Sequence, residues 1–320
     1  MKRIYITGAY GLLGQHLVKQ FLSKNFCREI IAIIRFEDLM SSKVDAEEAR
    51  IRYEELLKTE SSELKYISYK EFYNPAENVS DSDDSVLIHL AFARSGEVKP
   101  MLASIRLMER VAAAAQVRSI PSLINISSQS IYDPYREKPA AETDLPAPES
   151  LYGLTKYYSE IYLSKWAEKN DIRLINLRMA SLIGPGLEQR ISTRLLKRAI
   201  EESIIEIRTN KEIFSFLHIR DAARMIAEVA GSQDKSEYDT YNLGTGESYN
   251  LLEMAELICA IMQDNGLATP EIRIEQSEGL QYNNSVNLKR LKKDFDLSAK
   301  IIFKDSLLEE FRKLIQENEN

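Results

Sequence analysis

The 320-residue chain is poor in the side chains that bind metals or form disulfides, with two cysteines and three histidines. Cys27 and Cys259 have no cysteine or histidine close by in the sequence. We therefore expect both to be buried as small hydrophobic side chains. No metal site is predicted.

The chain also lacks an excess of positive charge and any long apolar run. Its formal net charge is -7, so overall electrostatics do not favour nucleic acid or an anionic membrane as partner. No stretch approaches the roughly 18 apolar residues that a membrane helix needs. Met1-Lys2-Arg3 leads directly into Ile4-Tyr5-Ile6 without an apolar signal region. A cytoplasmic protein is expected, with no nucleic-acid or membrane partner.

Three regularly spaced glycines follow the first predicted strand, Lys2 to Thr7. Gln15 to Lys24 then continues with helical spacing. The first glycine would allow a tight turn, the second a close approach to a pyrophosphate, and the third close packing of helix on strand. A glycine-rich turn without cofactor is the alternative. The predicted cofactor-binding residues here are Thr7, Gly8, Tyr10, Gly11, Leu12, Leu13 and Gly14.

The end of the second predicted strand, Glu29 to Ile34, bears on the choice of cofactor. Arg35 stands where a carboxylate usually receives the ribose hydroxyls of NAD, and an arginine there accommodates the extra phosphate of NADP. Asp38 follows and could still reach the ribose. NADP is therefore favoured, with NAD left open.

Further strand-helix units succeed one another up to residue 116. Strands are predicted at Leu64 to Tyr69 and Val86 to Ala93, and helices at Asp45 to Lys58 and Met101 to Gln116. Such alternation predicts an α/β fold with a doubly wound parallel sheet. Leu90 and Ala91, near the end of the fourth strand, are predicted to contact the cofactor, and His89 to be a core or rim histidine.

Ser128, Tyr152 and Lys156 form a predicted proton-handling site. Ser128 follows a strand at Leu123 to Ile126, and Tyr152 to Glu168 has helical spacing. Tyr152 and Lys156 would then lie one turn, about 6 Å, apart. Lowering a tyrosine pKa from about 10 to about 7 takes roughly 4 kcal/mol, which a charge about 4 Å away supplies at an effective dielectric near 20. A surface tyrosine beside a solvated lysine is the alternative.

After a sixth strand at Leu174 to Leu177 the pattern becomes less regular. Further elements are predicted as helices 193–203, 221–230, 251–264 and 305–316, as strands 214–219 and 271–275, and as a short strand and turn over 241–246. This half is interpreted as a smaller, interleaved substrate-binding domain.

Several motifs occur in an order that identifies a family resemblance. They are Gly8-x-x-Gly11-x-x-Gly14, His89-Leu90-Ala91, Ser128, Tyr152-x-x-x-Lys156, Arg178 with Gly184-Pro185, and Tyr241-Asn242-Leu243-Gly244. Together they resemble the extended short-chain dehydrogenase/reductase family, specifically its NAD-dependent epimerase/dehydratase group. The resemblance implies a Rossmann domain over 1–180, to which 220–245 returns, and a substrate-binding domain over 181–219 and 246–320. It also implies that Tyr152 is the catalytic acid/base, that Lys156 binds the nicotinamide ribose and tunes the tyrosine, and that Ser128 steadies the reacting oxygen.

The departures from the family pattern narrow the expected reaction. Gln129 and Ser130 stand where 4,6-dehydratases carry an Asp-Glu pair, which disfavours dehydration. Phe214 replaces an arginine that often grips a diphosphate, and Ser181 replaces an asparagine that often touches substrate. The expected substrate-binding residues are Ser128, Gln129, Ser181 and Phe214.

The predicted function is therefore that of a 4-keto reductase or epimerase acting on a sugar carbon of a nucleotide-linked sugar with NAD(P). A reductase of a small non-sugar carbonyl is the alternative enzyme, and a non-catalytic dinucleotide sensor or scaffold is the alternative of another class. The resemblance also implies a homodimer formed by helices 101–116 and 152–168, with Ala112 to Ala115 allowing close approach.

Overall fold

The computed structural model describes residues 2–24, 27–34, 61–74, 84–187, 190–207, 211–237, 239–275 and 281–319. In chain order its strands are β1 (Lys2–Thr7), β2 (Cys27–Ile34), β3 (Leu64–Ser68), β4 (Ser85–His89), β5 (Ser122–Ser128), β6 (Arg173–Met179), β7 (Ser181–Ile183), β8 (Ile204–Ile207), β9 (Glu212–Phe214), β10 (Phe216–His218), β11 (Thr240–Leu243), β12 (Tyr249–Asn250), β13 (Glu271–Ile274) and β14 (Tyr282–Asn283). Its α-helices are α1 (Leu12–Lys24), α2 (Tyr69–Tyr73), α3 (Val98–Val117), α4 (Leu151–Asn170), α5 (Ile191–Glu202), α6 (Ile219–Gly231), α7 (Leu251–Asp264), α8 (Lys289–Phe295) and α9 (Phe303–Glu319).

A seven-stranded parallel sheet organises the fold, in the order β11-β6-β5-β4-β1-β2-β3. Alternate residues of each strand face opposite layers. In β1, Ile4 and Ile6 join the core that α1 and α6 cover, whereas Tyr5 joins the core that α3 and α4 cover. Helices on both faces of a parallel sheet confirm the predicted doubly wound α/β fold.

The strand order reverses between β1 and β4. In sheets of this kind the crevice outside the carboxyl ends of the strands, at the point of reversal, is the usual ligand site. The fold therefore brings the glycine turn after β1 and the segment after β4 to one edge.

Several predicted strands differ in their bounds from those observed, and local hydrogen bonds explain two of the differences. The fourth strand ends at His89 and not at Ala93, because the amides of Leu90 and Ala91 donate to the Thr7 hydroxyl at 3.2 and 3.3 Å. The predicted strand 214–219 is divided at Ser215, whose amide donates to Asn284 Oδ1 at 2.6 Å. Its last residue instead begins α6.

A second hydrophobic core lies in the C-terminal half. Side chains from α5, α7 and α9 pack there around Phe216 and Phe303. By contrast, β11 joins the main sheet beside β6, and α6 packs on α1. The division into a dinucleotide-binding domain and an interleaved substrate-binding domain stays a prediction.

The sequence patterns missed several short elements, among them α2, α8, β7 and β8. Elements of three to seven residues carry too few positions for a period to be recognised. The helix predicted over 45–58 lies outside the described residues. Among the described helices, none has the length and apolar character needed to cross a membrane.

Candidate active site

The glycine turn between β1 and α1 is tightly built. Gly8 has a φ of +70°, and its carbonyl accepts from the Gly11 amide at 3.0 Å. A Cβ added to Gly14 would lie 2.3 Å from the Gly8 carbonyl oxygen and 2.7 Å from the backbone of Ala9. Gly8 thus supplies the left-handed backbone, and Gly14 permits helix α1 to begin directly against the strand end.

A cleft of about 420 Å³ opens beside this turn, between the ends of β1 and β4. It is lined by Gly8, Tyr10, Gly11, Leu90 and Ala91 from the predicted cofactor set, together with Phe92, Ala93 and Ser104. This volume falls within the range of small-molecule sites, roughly 300–1,000 Å³. The first amides of an α-helix have no acceptor within the helix, and the N-terminus of α1 follows the glycine turn that lines this cleft.

The remaining predicted cofactor residues lie beneath or beside the cleft. Thr7 binds the β4 end through its hydroxyl, which also lies 2.8 Å from His89 Nδ1. Leu12 and Leu13 open α1, and Lys156 lies behind Phe92. Arg35 lies outside the described residues. His89 is buried as predicted, and this burial, followed by the charge of Lys156, lowers its pKa to about 3.

A second pocket, of about 170 Å³, lies where β5 meets α4. Its lining includes Ser128, Gln129, Tyr152 and Ser181, so four predicted site residues converge there. The side chains of Ser128 and Tyr152 both line this pocket, and the Ser128 hydroxyl, as a hydrogen-bonding neighbour, acts to lower the pKa of Tyr152. The pocket thus holds the two hydroxyls on which proton exchange at a substrate oxygen would depend.

The first turn of α4 lies against the turn after β5 because of Gly153. A Cβ on Gly153 would lie 2.2 Å from the Ser130 carbonyl oxygen. Ser150 caps the helix by accepting from the Gly153 amide at 3.0 Å. Gly153 therefore fixes how closely Tyr152 approaches Ser128.

Phe214 is not among the residues that line this pocket. Its ring stacks on Phe216 at 6.2 Å and lies 5.5 Å from the ring of Tyr282. These contacts make it part of the C-terminal packing in the present structure.

Lys156 is buried, and its ammonium lies nearer to the centre of the Phe92 ring than to that of the Tyr152 ring. Its ammonium donates to the Ile126 carbonyl at 2.6 Å and lies 3.8 Å from the centre of the Phe92 ring, but 5.9 Å from the centre of the Tyr152 ring. Burial lowers the pKa of Lys156 to about 7, although Glu160 opposes this shift. The lysine charge is therefore only partly retained at neutral pH.

The pKa of Tyr152 is raised above its ordinary value, which differs from the expected lowering by Lys156. Burial of the phenol is the main cause; the charge of Arg94, the hydrogen bond from Ser128 and the charge of Arg190 act in the opposite direction. The cations that act on the phenol are thus two arginines that the sequence patterns did not single out. Arg94 lies five residues beyond His89 at the end of β4 and outside the motif His89-Leu90-Ala91, so the sequence motifs did not predict its role.

A buried ion pair supports the pocket from behind. Arg178 donates to Glu160 at 2.7 Å and to the Tyr132 hydroxyl at 3.0 Å. Tyr132 in turn donates to Asn242 Oδ1 at 2.7 Å. This network links α4, β6 and β11 next to Ser128. No group of three His, Cys, Asp or Glu side chains that could hold a metal ion occurs within the described ranges.

Comparison with known proteins gives related results by sequence and by structure. The chain is 23% identical over 297 residues to dTDP-4-dehydro-6-deoxy-D-allose reductase from Streptomyces sp, covering 86% of this chain and 85% of that protein. It is 26% identical over 296 residues to methionine adenosyltransferase 2 subunit beta of Bos taurus, covering 85% and 75%. The fold matches UDP-glucuronic acid 4-epimerase from Bacillus cereus in complex with UDP-glucuronic acid and NAD, with a TM-score of 0.75, 20% identity and coverage of 98% and 99%.

The model of the NAD dependent epimerase/dehydratase family matches residues 4–244, which include the glycine turn, both pockets and strand β11. Its range contains every described residue of the site above. The chain belongs to the NAD dependent epimerase/dehydratase family.

Proposed function

We propose that this protein is an NAD(P)-dependent oxidoreductase or isomerase that acts on a sugar carbon of a nucleotide-linked sugar. The observation that carries the proposal is the convergence of Ser128 and Tyr152 in one pocket, next to the cleft beside the glycine turn. The proposal includes the cytoplasmic location that the sequence predicts.

The chemistry of the site divides between the cofactor and the protein. A bound nicotinamide dinucleotide would accept or supply hydride. Tyr152 would exchange a proton with the sugar oxygen, and Ser128 would hold that oxygen in place. A tyrosine phenol ordinarily keeps its proton at neutral pH, and burial raises the pKa of Tyr152 further. A protonated phenol is the form that donates to a carbonyl oxygen, which supports reduction of a keto sugar.

Lys156 would bind the nicotinamide ribose through its amine. In the structure that amine donates to the Ile126 carbonyl at 2.6 Å and lies 3.8 Å from the centre of the ring of Phe92, a residue that lines the cleft. Gly8 and Gly11 would take the pyrophosphate at the N-terminus of α1.

The substitution Tyr152→Phe tests the proposal directly. Turnover of UDP-glucose, UDP-glucuronic acid or a dTDP-4-keto sugar should fall by about 10²–10⁴, the usual contribution of a positioned acid or base. Dinucleotide affinity should stay nearly unchanged, since the glycine turn provides that binding. Tyr158→Phe, an exposed change on the same helix, is the control. Retained single-turnover hydride transfer in Tyr152→Phe would remove Tyr152 from this role. An inactive wild type that still binds dinucleotide would instead favour the non-catalytic sensor.

Epimerisation and reduction place different demands on the cofactor. An epimerase oxidises and re-reduces one substrate without releasing its cofactor, whereas a reductase draws on the NADPH pool. The solved relative above contains NAD, and the sequence relative from Streptomyces is named a reductase. Arg35 is the reason for proposing NADPH and reduction, with epimerisation by tightly held NAD as the second candidate.

The cofactor preference can be measured with a matched pair of variants. We expect NADPH to bind at least about tenfold better than NADH, a difference of roughly 1.4 kcal/mol. Arg35→Ala should erase that difference, and Arg28→Ala, an exposed arginine on β2, should not. NAD retained through purification, with no effect of Arg35→Ala on NADP(H) affinity, would select the epimerase.

We also propose a homodimer formed by α3 and α4. Large apolar side chains are exposed on these two adjacent helices: Val98, Leu102, Leu154, Tyr158 and Ile161. The alanine run contributes less than expected, because Ala112, Ala114 and Ala115 are buried against their own sheet. Light scattering at micromolar concentration should give twice the chain mass, and Leu154→Glu should give the monomer. A monomeric wild type would reject the dimer.

A further inference from the structure

Two arginines from separate parts of the chain border the Tyr152 pocket. Arg94 lies in the loop between β4 and α3, and Arg190 lies immediately before α5. Both line the pocket together with Ser128 and Tyr152. The other described lining residues are neutral, among them Ser127, Gln129, Ser130 and Ser181. The pocket therefore carries positive charge without an acidic side chain in its described lining.

Neither guanidinium has an ion-pair or hydrogen-bond partner within the part of the chain that the structure describes. Arg190 is half-buried and Arg94 is exposed. By contrast, Arg178 bonds Glu160 at 2.7 Å, and Arg224 bonds Asp221 at 2.6 Å. Burial and then the charge of Arg94 lower the pKa of Arg190 to about 10. The half-buried charge of Arg190 is unfavourable without a counter-ion, and an anionic ligand would offset that cost. The exposed Arg94 would add a second donor to the same ligand.

The position of the pair indicates which part of a nucleotide sugar would bind there. At about 170 Å³ the pocket is too small for a whole nucleotide sugar and suits a ring-sized group. It is shared with Tyr152, which acts at the reacting carbon. In a hexopyranose the diphosphate is attached at C1, across the ring from C4, whereas a carboxylate on C5 is adjacent to C4. An anion bound beside Tyr152 is therefore a substituent of the sugar and not the diphosphate.

We propose that Arg94 and Arg190 together bind a carboxylate carried by the sugar next to the reacting carbon, so that the preferred substrates are nucleotide-linked uronic acids or similar acidic sugars. This inference rests on the proposed function and specifies its substrate class. The planar guanidinium donates two parallel hydrogen bonds that match a carboxylate. Two such groups on different loops give selectivity for the acid over the neutral sugar.

Equilibrium binding of two probes tests the proposal. UDP-glucuronic acid and UDP-glucose share the nucleotide and the diphosphate and differ at the carboxylate. Calorimetry with the dinucleotide-loaded wild type should show at least about tenfold tighter binding of the acid. Arg94→Gln and Arg190→Gln should each lower the affinity for UDP-glucuronic acid by about tenfold. The affinity for UDP-glucose should change by less than about threefold. Arg190→Lys should recover part of the loss. Arg312→Gln, an exposed change of the same charge on α9, is the control.

The alternative results overturn the inference in distinct ways. If the arginine variants lose affinity for both probes equally, the arginines bind the diphosphate that the two probes share. A wild type without preference for the acid, including one that binds neither probe, would also overturn it. If Arg190→Gln does not fold, the inference is tested by Arg94→Gln and by the preference of the wild type for UDP-glucuronic acid over UDP-glucose. Hydride transfer from a neutral nucleotide sugar without acid preference would leave the proposed function intact while this inference fails. If the protein prefers the acid through the two arginines but transfers no hydride, this inference stands and the proposed function fails.

Discussion

Lys156 offers a stability measurement that is independent of the enzyme assay. The side chain is 3% exposed, and burial lowers its pKa from the ordinary 10.5 to about 7. Between these values the unfolded chain binds more protons than the folded protein, so the free energy of unfolding must rise with pH. Below about pH 7 the folded protein bears the full cost of the buried ammonium. Above about pH 10.5 that cost disappears.

The expected magnitude follows from the two pKa values. One pKa unit corresponds to about 1.4 kcal/mol, so the cost is roughly 5 kcal/mol at pH 6 and about 1 kcal/mol at pH 10. Lys156→Met has no such titration. Relative to this variant, the wild type should therefore gain about 4 kcal/mol between pH 6 and pH 10. Lys156→Met also loses the hydrogen bond to Ile126 and the contact with Phe92. Because a neutral amine still donates a hydrogen bond, this loss changes the free energy of unfolding of the variant by a similar amount at every pH and leaves the pH dependence to the titration.

Urea unfolding of the dinucleotide-free proteins at a series of pH values measures this change. Lys169→Met, on the exposed side of the same helix, should follow the wild type throughout. If the wild-type and Lys156→Met curves differ by less than about 1 kcal/mol in their change from pH 6 to pH 10, the ammonium is not desolvated as described. Lys156→Met should also bind the dinucleotide more weakly and turn over more slowly than the wild type, since the amine of Lys156 is proposed to bind the nicotinamide ribose.

Two further substitutions test the framework of the site. Gly14→Ala would place a methyl group 2.3 Å from the Gly8 carbonyl oxygen; we expect destabilisation of about 1–3 kcal/mol and lost dinucleotide binding by fluorescence titration. Gly231→Ala, with nothing within 4 Å, should change neither, and equal behaviour of the two variants would contradict the steric reasoning. Glu160→Gln leaves the buried Arg178 guanidinium without a counter-charge and should cost about 3–5 kcal/mol in urea unfolding; a change below about 1 kcal/mol would show that the pair is replaceable.

Local sequence determined the framework of this protein. The strand, glycine turn and helix at residues 2–24 can be predicted from the sequence, because each glycine is needed by the backbone of that same short segment. Helix α7 begins and ends at the predicted residues, Leu251 and Asp264, since its apolar period and its Asn250 cap are local signals. The convergence of Ser128 and Tyr152 was also predicted from the sequence, because β5 ends at Ser128 and Tyr152 lies in the first turn of the helix that follows it in the chain.

The tertiary structure alone decided the electrostatics of the site. Arg94 and Arg190 meet at one pocket only through the folding of two distant loops, and no periodicity records that approach. The direction of the Lys156 ammonium depends on a side-chain rotamer and on the competing Ile126 carbonyl. The pKa of Tyr152 depends on how far water is excluded, which is a property of the assembled pocket. Sequence spacing fixes where a residue lies on its own element, but charge interactions and desolvation depend on which other elements surround it.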